Sequence, residues 1–347
     1  MTGYAGQELL KILLEHPHVS VRYLGSRRLK APAPIGELLP AFADRKKLRI
    51  SPFNPQEAAR RCGLLFLCLP NDEAMKLAPA LLRKQELRVI DLSGDFRLRS
   101  ATAFRKAVGF AHTSPSWLRQ AVYGLPELHR QSIPGKRLVA NPGCYPTATL
   151  LALAPLAEKK LLPADGVIVD AKSGVTGAGR SVKEELLFCE VNEDFRAYKV
   201  DKHQHRPEME QELARLGGRK VSLTFVPHLA PLDRGLYVTA YVSFARKIGE
   251  KTLRDLYEQR YKQEPFVRVL PKGTWPQVKS VAGSNRCEIG LHLEPSGRRA
   301  VILSAIDNLG KGAAGQAVQN MNLLLDCPET TGLDGHPRGS GDRSSLS

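Results

Sequence analysis

The sequence lacks the features of membrane, secreted and metal-dependent proteins. Its longest apolar runs, such as residues 64–69, are far shorter than the roughly 18 residues that span a bilayer. The amino terminus places Gln7, Glu8 and Lys11 among its apolar residues and has no uninterrupted apolar core of a signal peptide. The six cysteines form no Cys-x-x-Cys pair and no ligand-like cluster with histidine, so neither zinc nor a disulfide framework is indicated. These absences predict a cytoplasmic protein without a membrane segment or a metal site.

Composition and charge narrow the functional classes further. The chain has 347 residues, of which 42% are hydrophobic and 25% charged, so it is globular and about twice the size of an average domain. Two domains are therefore expected. Its 51 Lys and Arg residues exceed its 35 Asp and Glu residues, and the net charge of +16 favours anionic partners. The basic residues occur as scattered pairs and triplets, which argues against a nucleic-acid-binding arm.

The first part of the chain has the pattern of a parallel α/β sheet. Apolar spacing predicts a helix over residues 5–15 and strands over residues 19–24, 64–69 and 88–92. A helical pattern over residues 72–84 separates the last two strands. Alternating helices and apolar strands predict a sheet covered by helices on both faces.

The second part of the chain is richer in strands. A helix is predicted over residues 145–159 and a strand over residues 167–170, and from Val221 onward strands with period-two alternation dominate. This pattern predicts a larger antiparallel sheet in a second domain. A helical run over residues 311–325 closes the fold, and the Gly-, Ser- and Pro-rich composition after Cys327 predicts a disordered tail.

The amino terminus resembles the end of a glycine-rich dinucleotide loop. Gly3, Tyr4, Ala5 and Gly6 lead directly into the first helix, where glycines let the backbone approach a pyrophosphate. An ordinary glycine-rich helix start has the same pattern. A complete loop needs a further glycine and a strand before Met1, so we expect Met1 to be an internal methionine of a longer chain.

A basic turn follows the strand predicted over residues 19–24. Ser26, Arg27 and Arg28 stand where dinucleotide-binding folds distinguish NAD from NADP. Hydroxyl and guanidinium groups suit a 2′-phosphate, whereas an acidic residue would suit the ribose hydroxyls of NAD. The turn predicts NADP(H) as the cofactor, and a solvated basic turn is the alternative.

Cys144 is the strongest candidate for a nucleophile. It follows the tight turn of residues 141–143 and begins a predicted helix, where the helix dipole and free amide groups stabilise a thiolate. The alternative is a small packing residue. Cys68, by contrast, lies inside an apolar strand and is most simply a core residue.

Two histidines could serve such a nucleophile. His203 and His205 flank Gln204, and either imidazole could take and return a proton near neutral pH. A metal site is not expected, because no third ligand with recognisable spacing is nearby. The glycine-rich segment of residues 173–180 could cradle a phosphate through backbone amides or could be a flexible loop.

Together these segments resemble the N-acetyl-γ-glutamyl-phosphate reductase family. These are NADPH-dependent enzymes of arginine biosynthesis that are related to aspartate-semialdehyde dehydrogenase. The resemblance extends from Thr2 to about Asn322. The segments that carry it are TGYAGQELL, DLSGDFRL, VYGLPEL, ANPGCYPT, DAKSGVTGAGR, FCEVNEDFRAY, HQHRPEMEQ, FVPHLAPLDRGL and DNLGKGAAGQAVQNMN.

The resemblance implies a fold and a division into domains. The fold is a Rossmann-type dinucleotide-binding domain, its first strand missing here, and an α+β catalytic domain with a large mixed or antiparallel sheet. The implied parts are an NADP-binding domain over residues 1–143, a catalytic and dimerisation domain over 144–306, a returning helix over 307–326 and a tail over 327–347. A homodimer or homotetramer is also implied.

The resemblance further implies a covalent reduction. Cys144 attacks an acyl phosphate, releases inorganic phosphate and leaves a thioester that NADPH reduces to the semialdehyde. His203 is the implied acid and base, with His205 as the less favoured candidate. The implied cofactor residues, besides those of the first loop and the basic turn, are Pro70, Ser173, Gly174, Gly177, Asn308 and Lys311. The implied substrate residues are Ser93, Arg97, Asn141, Arg180 and Glu190.

One loop departs from the family pattern, and two alternatives stay open. Family members commonly carry His-Gly after the proline that ends the second predicted strand, whereas Pro70 is followed here by Asn71 and Asp72. The substrate could be a related acyl phosphate, either aspartyl phosphate or carrier-linked aminoadipyl phosphate. A nucleic-acid-binding or structural protein that retains an enzyme fold is the other alternative.

Overall fold

The computed structural model describes residues 2–333, which divide into two compact units. The chain up to Gly143 and the segment Ala313–Gly332 form the first unit, and Cys144–Gly312 form the second. The helices are α1 Tyr4–Glu15, α2 Ile35–Leu38, α3 Pro55–Arg61, α4 Ala74–Leu81, α5 Ala101–Val108, α6 Pro115–Gln120, α7 Pro126–His129, α8 Cys144–Glu158, α9 Phe188–Val191, α10 His205–Gly217, α11 Glu250–Tyr261, α12 Val278–Val281 and α13 Gly315–Leu324. The strands are β1 Gly25–Ser26, β2 Ala33–Pro34, β3 Arg49–Pro52, β4 Leu64–Leu67, β5 Arg88–Asp91, β6 Val122–Tyr123, β7 Leu138–Ala140, β8 Val167–Gly174, β9 Arg196–Ala197, β10 Leu223–Ala230, β11 Leu236–Ser243, β12 Val267–Val269, β13 Cys287–Leu293 and β14 Arg299–Ile306.

The first unit contains the predicted parallel sheet. Its four strands lie in the order β4-β5-β7-β6, and every neighbouring pair is parallel. Leu67, Val89 and Phe104 belong to the buried cluster between this sheet and the helices beside it. The α/β prediction for this part of the chain is confirmed, because the strands are parallel and helices pack against them through this cluster.

The strand predicted over residues 19–24 is wrong. The structure has only the two-residue strand β1, which pairs in parallel with β3 in a separate three-stranded sheet of order β1-β3-β2. The carbonyl of Leu24 accepts from the Ser51 amide at 2.9 Å, and residues 19–24 belong to none of the strands in the described part of the chain. Val21 and Leu24 instead pack against the small core around Ile35 and Ile50. Hydrophobic burial, rather than strand pairing, explains why these two residues are apolar.

The second unit is built on a seven-stranded mixed sheet. The order is β12-β13-β14-β11-β8-β10-β9, with β8 parallel to β10 and antiparallel to β11. β11, β14 and β13 continue as antiparallel neighbours. The mixed sheet predicted for this domain is confirmed. Helix α8 lies against β11 and β14 and is buried over residues 145–157, as expected for a helix that is apolar on all sides.

The carboxyl-terminal part differs from its prediction in two places. The predicted helix over residues 311–325 begins with a π-helical turn, Gly310–Ala314, before α13. The predicted disordered tail does not begin at residue 327, because Asn322 Nδ2 donates to the carbonyls of Glu329 (3.0 Å) and Thr331 (2.9 Å). Residues 334–347 lie outside the described part of the chain.

Two features are missing from the described residues. Among residues 2–333, no helix has the length and apolar character needed to cross a membrane. In the same residues no group of three or more His, Cys, Asp or Glu side chains is arranged to hold a metal ion.

Candidate active site

Cys144 is the first residue of α8 in the second unit, and the residue is partly buried. The π-helical turn brings Gly312 against it. A Cβ atom at position 312 would lie 2.8 Å from Cys144 Cβ and 3.2 Å from the carbonyl oxygen of Asp307. Only glycine fits this approach, so the turn fixes one wall around the thiol.

Tyr145 connects the start of α8 to both histidines. Its ring is nearly perpendicular to that of His203 at a centroid distance of 5.5 Å and lies 6.0 Å from that of His205. Its buried hydroxyl donates to the carbonyl oxygen of His228 (3.1 Å) and accepts from the Tyr198 hydroxyl (3.2 Å). Burial raises the pKa of Tyr145 and raises that of Tyr198 to about 12, so both hydroxyls stay protonated. The residue after Cys144 therefore holds the imidazole pair in place.

His203 and His205 form a tight pair. Their ring centroids are 4.6 Å apart, and the backbone amide of His205 donates to His203 Nδ1 at 3.1 Å. An imidazole that accepts at Nδ1 carries its proton on Nε2 when it is neutral. Burial, together with the nearby Lys199 charge, lowers the pKa of His203 to about 4. His203 is therefore neutral at physiological pH, with an N–H donor at Nε2.

The predicted glycine-rich loop is an ordered 3-10 turn over Val175–Ala178. The amide of Gly174 donates to Gly235 and the amide of Val175 to Leu232, at 2.9 and 2.8 Å. A Cβ on Gly174 would lie 2.8 Å from the Leu232 carbonyl, and one on Gly177 would lie 2.7 Å from the Ser173 hydroxyl. These two amides therefore bind the segment of residues 232–235, and a phosphate contact of the remaining loop amides stays a prediction.

Asn308 fastens this turn, while Lys311 is part of the interior. Asn308 Nδ2 donates to the Thr176 hydroxyl (2.9 Å), and its Oδ1 accepts from the Gly235 amide (2.6 Å). The Lys311 side chain is fully buried, and its ammonium lies 5.4 Å from the centroid of the Phe266 ring, a cation–π contact. Both residues stabilise the second unit, and their predicted contact with the cofactor stays a prediction.

The last two candidates of the second unit lie on an exposed segment. Arg180 follows the 3-10 turn, and Glu190 belongs to the short helix α9. The Glu190 carbonyl accepts from the Arg196 guanidinium at 2.8 Å, which orders this segment. Their assignment to the substrate stays a prediction.

In the first unit, the predicted cofactor loop begins α1. Gly3 is the N-cap, and helix α1 begins at Tyr4. Its first turn has no acidic residue and no side-chain cap, and Gly6 is buried. The amide groups and dipole of a helix start favour a phosphate in this setting.

The predicted 2′-phosphate turn contains an ion pair. The buried Ser26 hydroxyl accepts from the Arg28 amide at 3.3 Å, which shapes the turn, and the Arg27 and Arg28 side chains are exposed. Arg27 Nη1 donates to the carboxylate of Glu73, which precedes α4 in the loop that follows Pro70. The donor set suits a phosphate, and the acidic partner is a feature that the sequence prediction missed.

The segment of residues 91–98 forms a buried polar network at the end of β5. The Ser93 hydroxyl donates to Asp91 (3.0 Å) and accepts from the Asp95 amide (3.1 Å). Arg97 Nε donates to the Asn141 carbonyl at 2.7 Å. Burial raises the pKa of Asp91 to about 6, against the lowering effect of the hydrogen bonds that the Ser93 amide and hydroxyl donate to it. The network holds the turn that precedes Cys144, so Ser93, Arg97 and Asn141 have a structural role here, and their substrate contacts stay predictions.

Comparison with known proteins identifies the chain's relatives. The family model described as "Semialdehyde dehydrogenase, NAD binding domain" matches residues 1–135, and "Semialdehyde dehydrogenase, dimerisation domain" matches residues 144–308. A protein of Halorhodospira halophila named N-acetyl-gamma-glutamyl-phosphate reductase is 49% identical over 96% of this chain and 96% of its own length. A Symbiobacterium thermophilum protein of the same name is 47% identical over 96% of this chain and 95% of its own length.

The chain belongs to the N-acetyl-gamma-glutamyl-phosphate reductase family. The resemblance that the sequence motifs carry is therefore confirmed. The predictions that the protein is an oxidoreductase and contains a nicotinamide-binding domain are confirmed as well.

Solved structures agree in fold. Aspartate semialdehyde dehydrogenase II of Vibrio cholerae is 16% identical, with a TM-score of 0.69 over 93% of this chain and 96% of its own. The Candida albicans enzyme, solved with NADP, is 14% identical, with a TM-score of 0.66 over 92% and 94%. Because the identities are this low, the likeness supports the fold of this member of the N-acetyl-gamma-glutamyl-phosphate reductase family and says nothing about its substrate.

Sequence reasoning missed several residues that shape this reductase-family site. Tyr145 directly follows Cys144, and Gly312 lies in the glycine-rich run of residues 310–315, so both stood beside recognised features. Tyr198 and Asp95 lie in the segments FCEVNEDFRAY and DLSGDFRL, and Glu73 lies three residues after Pro70. Their contacts were not predictable, because their partners are distant in the chain.

Proposed function

We propose that this chain catalyses the NADPH-dependent reduction of N-acetyl-L-glutamyl 5-phosphate to N-acetyl-L-glutamate 5-semialdehyde and phosphate. The observation that carries the proposal is the identity of 45–49% over 96–97% of the chain to eight relatives with one name. None of these names points to aspartyl phosphate or a carrier-linked substrate. The proposed place of this reaction is arginine biosynthesis in the cytoplasm, where a catalytic thiol stays reduced.

Cys144 begins the proposed reaction. Its sulfur attacks the acyl carbon, the bond from that carbon to the phosphate oxygen breaks, and inorganic phosphate leaves with the bonding electrons. A thioester with Cys144 remains. Covalent catalysis of this kind divides one difficult reduction into two easier steps.

His203 assists the reacting carbonyl group. Its neutral imidazole, with its Nε2–H, is suited to donate a hydrogen bond to the carbonyl oxygen as that oxygen gains negative charge. When the carbon–sulfur bond breaks, the thiolate of Cys144 leaves and the semialdehyde forms. Tyr145 keeps the imidazoles in position through its ring contacts and its two hydroxyl hydrogen bonds.

The residues of the first unit fit NADP(H). The start of α1 offers amide groups for the pyrophosphate, and the turn of residues 26–28 offers two guanidinium groups for a 2′-phosphate. When bound, this cofactor supplies the hydride that reduces the thioester. Ser173, Gly174, Gly177 and Asn308 are proposed to lie near its nicotinamide.

The reverse reaction tests the proposal. Phosphate-dependent reduction of NADP⁺ by N-acetylglutamate semialdehyde should be rapid, and aspartate semialdehyde should be a poor substrate. The Cys144→Ser variant should lose at least about a thousandfold in kcat and keep its fold. Equal activity of the variant, or preference for aspartate semialdehyde, would overturn the mechanism or the substrate respectively.

We also propose that the chain is a homodimer, or a tetramer built from such dimers, through the open face of the large sheet. Helix α8 covers the opposite face. On the open face Tyr241 lies between Ile168 and Val301 in the strand register, and Ile168 and Tyr241 are about two-fifths exposed, at 43% and 39%. A second copy of this chain would bury this apolar row.

A further inference from the structure

The loop between β4 and α4 carries an acidic side chain to the predicted 2′-phosphate turn. Glu73 receives a hydrogen bond from Arg27, and both side chains keep contact with solvent, at 28% and 51% exposure. Glu73 is the N-cap residue of α4, yet its carboxylate does not cap that helix. Its hydrogen bond with Arg27 links it to the turn that would receive the cofactor phosphate.

The backbone around Glu73 is held firmly by a buried carboxylate. Asp95 is fully buried, and its two oxygens accept from the amides of Asp72 (2.9 Å) and Met75 (3.0 Å), on either side of Glu73. Asp72 adopts a left-handed conformation with φ of 76°, and this turn of the backbone accompanies the two hydrogen bonds to Asp95. Arg27 therefore meets an acidic group that is built into the fold, not a side chain of a free loop.

The charge of this group acts against a 2′-phosphate. A carboxylate that binds Arg27 competes for the guanidinium donors and repels a dianionic phosphate placed beside them. The same carboxylate can accept a hydrogen bond from a ribose 2′-hydroxyl, as acidic residues do in NAD-binding folds. Its effect on the two cofactors is therefore opposite in sign.

We propose that Glu73 is a specificity-determining residue that weakens the preference for NADP(H) over NAD(H) by competing for Arg27. The inference rests on the proposed function, because it places the cofactor's ribose at this turn. Arg27 exchanges its partner from Glu73 to the 2′-phosphate when NADP(H) binds. With NAD(H) the ion pair persists.

Calorimetric titration of the full chain with NADP⁺ and with NAD⁺ tests the proposal without using activity. The Glu73→Gln variant should bind NADP⁺ about three- to tenfold more tightly and NAD⁺ no more tightly than the unmodified chain. The gain should shrink as salt is added, because the interacting charges are partly exposed. Glu57→Gln is the matched control, since Glu57 forms a similar exposed pair with Arg61 (3.0 Å) on α3.

A double variant separates competition for Arg27 from a general effect of the Glu73 charge on the cofactor. In a chain that carries Arg27→Ala, adding Glu73→Gln should change NADP⁺ affinity less than it does when Arg27 is present. Unchanged or weaker NADP⁺ binding by Glu73→Gln, in a chain that binds both dinucleotides, would overturn the proposal alone. Failure of the unmodified chain to bind either dinucleotide would overturn the proposed function and this inference together.

Discussion

His203 illustrates how the surroundings of one residue set its chemistry. The same hydrogen bond from the His205 amide that fixes its tautomer also fixes the ring, and burial keeps the ring neutral. A neutral imidazole with a fixed Nε2–H can stabilise a developing oxyanion without adding a buried charge. His205 starts α10 beside it and supplies the amide, so the two histidines have different tasks.

This environment predicts a loss of stability in acid. Because the pKa of His203 falls from 6.5 to about 4 on folding, the unfolded chain binds a proton that the folded chain does not. The contribution of the neutral His203 to the free energy of unfolding should therefore be complete above pH about 6.5. It should fall by up to about 3 kcal/mol as the pH approaches 4. Urea unfolding across this range checks it, with His203→Asn as the comparison. Parallel pH profiles of the two proteins would contradict the prediction.

At the scale of elements, the π-helical turn Gly310–Ala314 shapes the surroundings of the nucleophile. Asp307 stabilises the residues that lead into this turn. The buried carboxylate of Asp307 pairs with Arg234 (2.7 Å) and accepts from the amides of Leu309 and Gly310. The turn must then pass within contact distance of Cys144 Cβ. Such a turn leaves no room for a side chain at its middle residue.

Gly312→Ala should therefore impair both stability and catalysis. The added methyl group would lie 2.8 Å from Cys144 Cβ, which forces the turn or the start of α8 to move. We expect a loss of about 1–3 kcal/mol in unfolding free energy and at least about tenfold in kcat. Gly63→Ala is the control, because a Cβ there meets no atom within 4 Å. Equal kcat values for both variants would show that the close approach is not required.

Helix α13 organises the segment of residues 327–333. Asn322 is fully buried, donates to two carbonyls of this segment and accepts from His16 Nε2 at 3.0 Å. Asn322→Ala should lower the unfolding free energy by about 2–3 kcal/mol, because several buried polar groups lose their partner. It should also speed proteolysis after residue 326. Asn192→Ala, at an exposed helix end, should do neither, and equal protease sensitivity of both variants would argue against this attachment.

Long elements were predictable from the sequence, and short ones were not. Helices α1 and α8 and strand β5 follow the predicted segments closely, since their apolar spacing reflects the face they bury. Strand β1 was misplaced because the partner strand, not the local pattern, decides where pairing begins. Cys144 and His203 were found through the chemistry of their residue types. Glu73 and Tyr198 were not, since their roles depend on neighbours distant in the sequence.

At the scale of the whole molecule, the net charge of +16 gave little information on function. Many basic side chains are paired locally: Arg206 contacts Asp201 and Glu210, and Arg260 contacts Glu158 and Glu264. In each of these two groups one guanidinium faces two carboxylates, so these arginines are compensated locally. The family assignment, and not the net charge, therefore carries the functional conclusion.

The proposed dimer makes the open sheet face a requirement for assembly. Tyr241→Glu places a charge in the apolar row formed with Ile168 and Val301, where burial against a second copy would be costly. The molar mass measured by light scattering after size-exclusion chromatography should be that of a dimer or tetramer for the unmodified chain and smaller for the variant. Leu325→Glu, at a similarly exposed apolar residue of the first unit, should leave the mass unchanged. A monomeric unmodified chain, or a variant that keeps the full mass, would exclude this face as the interface, because one buried carboxylate outweighs the gain from the apolar row around it.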